Sequence, residues 1–138
     1  MTLLRTAIVR GTPLLLLLTL AGPASAHHSF AAEYDAAKPI TLRGTVTKVD
    51  WVNPHAWLHL EAKSGDGSVA EWMVEMGTPN VLVRRGFTKK SLAPGAELVV
   101  QGYLAKNGER KVNGGSVAFA DGTKLFVGGS GPNEVPQK

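Results

Sequence analysis

All four histidines of the chain lie in two short motifs. His27 and His28 are adjacent, whereas three residues separate His55 from His59. Imidazole nitrogens are ligands of copper, nickel and zinc, so all four side chains are candidate metal ligands. If His55 and His59 lie on one straight strand, a rise of roughly 3.3 Å per residue places them about 13 Å apart. A single ion then binds both rings only if a bulge or kink beside His55 brings them together.

The residues before His27 have the pattern of a secretory signal peptide. Arg5 and Arg10 are basic, residues 14–20 are apolar, and residues 24–26 form a small-residue cleavage site of the A-x-A type. We therefore predict that residues 1–26 are removed on export and that the mature protein is periplasmic or secreted. Cleavage makes His27 the first residue of the mature chain.

A free N-terminal histidine is a chelating group. Its α-amino group has a pKa of about 7.7–8.0 and loses its proton readily when a metal competes for the nitrogen. Amine and imidazole of His27 together suit Cu(II) or Ni(II) in a tetragonal set of nitrogen ligands. A third nitrogen from His28 or His55 would resemble the histidine brace of copper monooxygenases and copper carriers, although no other motif of those families is present. The alternative is an exposed chain terminus without a metal.

The length, the net charge and the absence of cysteine exclude several classes of protein. The chain has 138 residues, of which 112 remain after cleavage, enough for one domain with a single core. Because Arg5 and Arg10 leave with the signal peptide, the formal charge of +4 falls to +2, which argues against nucleic acid as a partner. Residues 14–20 are too few to cross a bilayer, so no membrane span is predicted. The absence of cysteine excludes disulfides and thiolate metal sites.

Alternating apolar and polar residues predict strands over residues 40–47, 56–61 and 69–76. Residues 64–68 are typical of a hairpin loop. A loop centred on Asp66 pairs residues whose numbers sum to 132, and opposite side chains then lie about 4.5–5.5 Å apart. The predicted pairs are Trp57 with Glu75, His59 with Met73, and Glu61 with Glu71.

The later part of the chain predicts one helix and more strands. Thr78 and Pro79 are an N-cap and first helical residue, and Gly86 follows the helix after Arg85. Strands are expected over residues 97–104, 112–120 and 123–127. This order predicts an all-β, mainly antiparallel, OB-like barrel of five or six strands, with one short helix between strands 3 and 4. An open two-sheet sandwich is the alternative. We expect a lead-in at residues 27–38, the barrel at 39–128 and a disordered tail at 129–138.

A second candidate site is a binding surface at Asn53, Trp57 and Glu75. Strand alternation places Trp57 and His55 on one face, and the predicted register adds Glu75. If this face is exposed, it is suited to a small ligand or to a protein partner. If the lead-in covers it, Phe30 or Tyr34 packs there instead. Both arrangements bring His27 and His28 close to His55.

Three motifs resemble a family of small exported bacterial proteins of unknown function. They are the paired histidines with Ser29 and Phe30, a G-T-V-x-x-V strand at residues 44–49, and the segment Asn53-Pro54-His55-Ala56-Trp57. The resemblance covers most of the mature chain. It implies export and a shared fold, and it implies no activity, because none is assigned to the family.

No enzyme signature is present: the chain lacks G-x-S-x-G, a phosphate-binding loop, H-E-x-x-H and a cysteine nucleophile. We therefore expect a non-enzymatic exported module that binds a small ligand or a metal ion of the copper type. The alternative is a metal-free accessory protein that docks on a periplasmic partner through Trp57 and its neighbours.

Mass spectrometry of the exported protein tests the predicted cleavage. Signal peptidase should cut between Ala26 and His27, because small residues precede this bond at the right distance from the apolar segment. The measured mass should therefore correspond to residues 27–138. A mature chain with any other first residue would exclude a chelate of the α-amine with His27.

Overall fold

The computed structural model describes residues 30–63, 67–128 and 131. The predicted signal peptide, His27, His28 and the predicted tail apart from Gly131 lie outside the described residues. In chain order, the elements are α1 (Phe30–Glu33), β1 (Tyr34–Asp50), β2 (Trp57–Lys63), β3 (Val69–Glu75), α2 (Pro79–Arg84), β4 (Glu97–Ala105), β5 (Lys111–Phe119) and β6 (Lys124–Phe126).

The six strands form one mainly antiparallel sheet that closes on itself. Their order is β3-β2-β1-β4-β5-β6, and a further pairing joins β3 to β5 in parallel. That parallel seam has three residue pairs, Met73 with Lys111, Val74 with Val112 and Glu75 with Asn113. Five strands thus form a ring, with β6 added beside β5. The all-β class and the short helix between strands 3 and 4 are confirmed.

The ring is sheared, as closure of a twisted sheet requires. Paired residues can be followed once around it, from Asp50 on β1 through Trp57, Glu75, Asn113 and Tyr103 back to β1. The path returns at Pro39, eleven residues before its starting point. This stagger is why the two ends of β1 contact different strands: its first part pairs with β4 and its second part with β2.

The core occupies the inside of the ring, and strand alternation fills it as predicted. Most of the buried apolar residues of β1, β2, β3 and β4 are at even-numbered positions and point inward. They include Leu42, Val46, Leu58, Leu60, Trp72, Val74, Leu98 and Val100. Leu82 of α2 and Phe87 complete the core from the segment between β3 and β4. The predicted hairpin register is also confirmed at all three predicted pairs.

A bulge in β1 changes which residues face outward. The pairing with β2 shifts between Val46 and Lys48, so one extra residue lies on β1. After the bulge the even-numbered positions 48 and 50 lie on the outer face, opposite His59 and Trp57 respectively. The predicted alternation covers residues 40–47, and the bulge exchanges the two faces for the residues that follow, because one inserted residue turns the next side chains to the other side of a strand.

Strand β1 begins at Tyr34, five residues before the expected start at Pro39. Tyr34 pairs with Ala105, and the register then shifts before regular pairing with β4 resumes at Pro39. Part of the expected lead-in is therefore strand, and α1 precedes it. The sequence contains no alternation over residues 35–38 because these residues are largely exposed on both sides.

Helix α2 has the predicted ends. The Thr78 hydroxyl accepts a hydrogen bond from the Val81 amide at 3.3 Å, and Pro79 is the first helical residue. Arg85 is the C-cap, and Gly86 follows with φ of +96°, a conformation that favours glycine.

Truncation of matched valines on β3 tests the assignment of faces. Val74→Ala should lower the free energy of unfolding by about 2 kcal/mol, because Val74 is fully buried. Val69→Ala is the control, since Val69 is 62% exposed on the same strand, and it should change stability by less than about 0.5 kcal/mol. Urea unfolding followed by circular dichroism measures both. Equal losses would contradict the described alternation.

Candidate functional site

His55 lies in the loop between β1 and β2, just before Trp57. Its Nδ1 is 3.0 Å from the backbone oxygen of Met76 and 3.3 Å from Oε1 of Glu75. The Met76 oxygen can only accept, so Nδ1 carries the proton and donates it to that oxygen, with the Glu75 carboxylate beside it. The hydrogen bonds between β2 and β3 continue beyond the strand ends, beside the His55 imidazole, because the Met76 amide donates to the backbone oxygen of Ala56.

Glu75 is a buried carboxylate at the end of β3. Its side chain is only 11% exposed. Oε2 accepts a hydrogen bond from the hydroxyl of Tyr34, and Oε1 faces His55. Burial of a carboxylate is costly unless polar partners compensate it, and here the Tyr34 hydroxyl donates a hydrogen bond while the polar His55 ring lies close to the other oxygen. We call Tyr34, Glu75 and His55 the Glu75 network.

Tyr34 keeps its proton within this network. Burial of the ring raises the pKa of Tyr34 above its ordinary value, and the hydrogen bond to the negative Glu75 raises it further. Tyr34 is 3% exposed. Its hydroxyl is therefore a donor to Glu75 at neutral and mildly alkaline pH.

The N-terminal segment, residues 30–34, is held against the hairpin of β4 and β5. The Phe30 ring packs edge-on against Tyr103 at 5.5 Å between centroids and stacks with Tyr34 at 5.9 Å. Nζ of Lys106 donates to the backbone oxygen of Ala31 at 2.6 Å.

An ion pair and a cation–π contact of Lys111 also hold the N-terminal segment in place. Nζ of Lys111 is 3.2 Å from Oε2 of Glu33 and 5.6 Å from the centre of the Tyr34 ring. Since Lys111 belongs to β5 and Glu75 to β3, Tyr34 bridges the two strands whose parallel pairing closes the ring.

His59 has a different environment, although it is also buried. Its Nε2 is 3.0 Å from Asp50 and its Nδ1 is 3.2 Å from Glu71. Both contacts are hydrogen bonds at once only when both ring nitrogens carry a proton. The hydrogen bond from Lys48, with a smaller one from His59, holds the pKa of Asp50 below its ordinary value. The ring nitrogens of His59 are thus engaged across β1, β2 and β3.

The residues of the predicted binding surface are only partly accessible. Trp57 is half-buried opposite Glu75, whereas Asn53 is exposed and forms a cis peptide bond with Pro54. Glu75 is buried among its own partners. Phe30 forms its ring contacts with Tyr34 and Tyr103, so in the described residues it does not stack on Trp57.

Within the described residues, no three histidine or acidic side chains are grouped closely enough to hold a metal ion. His55 and His59 are turned to separate partners. The nitrogen ligands expected from His27 and His28 lie outside the described residues. Sequence reasoning did not assign a polar role to Tyr34. No local signal could have done so, because its partner Glu75 is 41 residues away.

A titration of Tyr34 tests the network. In a Tyr103→Phe variant, Tyr34 is the one remaining tyrosine of the chain, so tyrosinate absorbance reports it alone. We expect no ionisation near pH 10 while circular dichroism remains native. Because its pKa is raised in the folded state, the contribution of Tyr34 to stability is complete below pH 10 and decreases as the pH rises above it. Ionisation of folded protein near pH 10 would show that the hydroxyl is not held by Glu75.

None of the helices in the described residues has the length and hydropathy needed to cross a membrane.

Comparisons with known proteins give a match to a family model. No curated protein and no solved structure matches the chain. A family model described as a family of unknown function, DUF6152, matches residues 15–114, which extend from before the paired histidines into β5. The chain therefore belongs to the DUF6152 family of unknown function.

Proposed function

We propose that the mature protein is an exported, non-enzymatic binding module, periplasmic or secreted, that holds a copper-type metal ion beside the Glu75 network. The ligands in this proposal are the α-amine and imidazole of His27 together with Nε2 of His55. His28 is the alternative source of the third nitrogen. Three or four nitrogen ligands of this kind suit Cu(II).

The state of the His55 ring is the observation that carries the proposal. Nδ1 donates to the Met76 oxygen and lies 3.3 Å from Oε1 of Glu75, while Nε2 makes no hydrogen bond within the described residues. A metal-bound histidine usually donates its other ring N–H to a carbonyl or carboxylate. His55 has this arrangement with the Met76 carbonyl, and its side chain is 19% exposed.

The attachment of the N-terminal segment supports the same site. A series of direct contacts joins Phe30 to Tyr34, Tyr34 to Glu75 and Glu75 to His55. Three peptide units separate His27 from Phe30, so their Cα atoms are at most about 11 Å apart. The proposal requires His27 to reach His55 within this length of chain from Phe30.

His59 is not among the proposed ligands. A metal at either ring nitrogen would have to displace the contact with Asp50 or with Glu71. The two histidines of the second motif thus have different expected roles, which makes His59 a control for His55.

A metal-free docking module is the second candidate function. Val52 is 51% exposed in the same loop as Asn53, and half-buried Trp57 follows on β2. Exposed apolar and aromatic side chains of this kind suit a protein partner. This candidate predicts no effect of metal on the protein.

Calorimetric titration with Cu(II) at neutral pH tests the proposal. The cleaved protein should bind one ion, and a form with one glycine added before His27 should bind it at least about tenfold more weakly, since the amine is moved away from the imidazole. His55→Ala should weaken binding by a similar factor. His59→Ala should leave the affinity within about threefold. Circular dichroism of each variant controls for folding.

Equal affinities for the cleaved and extended forms would exclude the amine as a ligand. A larger loss in His59→Ala than in His55→Ala would exclude the assignment of His55. If the cleaved protein binds no copper, the metal proposal is wrong and the docking module is the remaining candidate.

A further inference from the structure

A groove of about 660 Å³ lies on the outer face of the sheet, over β1, β2, β4 and β5. None of its lining residues belongs to the Glu75 network. Its floor includes Thr45, Val99 and Ala118, which are half-buried and have short side chains, whereas longer charged side chains lie around them. The groove therefore has a low centre and a charged rim, and its volume is within the range of small-molecule sites.

The four charged residues of the rim are arranged by sign. Thr45 on β1 is paired with Glu61 of β2 on one side and with Glu97 of β4 on the other. Arg43 lies two residues before Thr45, and Lys63 lies two residues after Glu61, so both are on the same outer face. Two residues of a strand rise roughly 6.6 Å. The two acids thus form one level of the groove, and the two cations form the next level.

These four side chains are available to a ligand. In the part of the chain that the structure describes, none of them forms an ion pair or a side-chain hydrogen bond. A ligand with a single charge would be attracted to one level of the groove and repelled by the other. The rim therefore suits a ligand that carries both charges, separated by about the distance between the levels.

We propose that this groove binds a short zwitterionic peptide, with its ammonium end at Glu61 and Glu97 and its carboxylate end at Arg43. Two extended residues span at most about 7 Å, which matches the roughly 6.6 Å between the two levels. Apolar side chains of the peptide contact Val99 and Ala118 on the floor. This site is separate from the proposed metal site and does not depend on it.

An amide NMR titration of the metal-free protein with the dipeptide leucylleucine tests the site. At about pH 6.5 the α-amine of the dipeptide is protonated and its carboxylate is ionised. The N-acetylated and C-amidated dipeptides each lack one charge, and each should bind roughly two- to fivefold more weakly, the range expected for one exposed ion pair. The largest saturable shifts should be at residues 43–45, 61–63, 97–99 and 118–120.

The substitution Arg43→Gln tests the assigned orientation. It should weaken binding of the free dipeptide roughly two- to fivefold and leave the amidated form unchanged, because that form has no carboxylate for Arg43 to contact. Glu97→Gln should weaken the free dipeptide more than the acetylated one. Arg84→Gln is the matched control: Arg84 is exposed on α2, outside the groove, and its loss should change none of the affinities.

The substitution Ala118→Leu tests the floor of the groove without changing a charge. The larger side chain should weaken binding of all three dipeptides, and circular dichroism controls for folding. Equal affinities for the free, acetylated and amidated dipeptides would overturn the proposal, and this result needs no variant. Shifts outside the groove only, no saturable shifts at all, or equal effects of Arg43→Gln and Arg84→Gln would overturn it as well.

Discussion

The buried carboxylate of Glu75 is the interaction on which this end of the molecule depends. A carboxylate with little access to water needs polar partners, and Glu75 accepts a hydrogen bond from the Tyr34 hydroxyl and lies 3.3 Å from the His55 ring. Tyr34 is the first residue of β1 and His55 follows the end of β1, so one side chain of β3 contacts both ends of that strand. Loss of the Tyr34 hydroxyl leaves a buried acceptor incompletely satisfied.

The position of Glu75 on the ring explains why this contact is central. Strands β3 and β5 close the sheet through three parallel pairs, and Glu75 is in the last of them, opposite Asn113. The N-terminal segment is attached to the β4 and β5 side of this seam through Phe30 and Lys106, while Tyr34 reaches across to β3. The contact of Tyr34 with Glu75 therefore forms only when the ring is closed and the segment is docked.

The two histidines of the second motif show how strongly environment determines the role of one side-chain type. The bulge of β1 places Asp50 on the outer face, where it contacts Nε2 of His59, and Glu71 occupies the other nitrogen. His59 thus joins three neighbouring strands. His55, four residues earlier, donates from one nitrogen to the Met76 oxygen, and its other nitrogen makes no hydrogen bond in the part of the chain that the structure describes. The spacing of the motif contains no information about this difference.

The sequence by itself determined the elements that depend on local chemistry. Period-two alternation predicts the strands and their buried faces, the loop centred on Asp66 predicts the register of β2 and β3, and Thr78 with Gly86 predicts both ends of α2. Together these features specify the fold class. Tertiary structure alone decided the contact of Tyr34 with Glu75, the bulge of β1 and the parallel seam of β3 with β5. Each of these joins residues far apart in the chain, and their approach depends on the shear with which the whole ring closes, which no local pattern encodes.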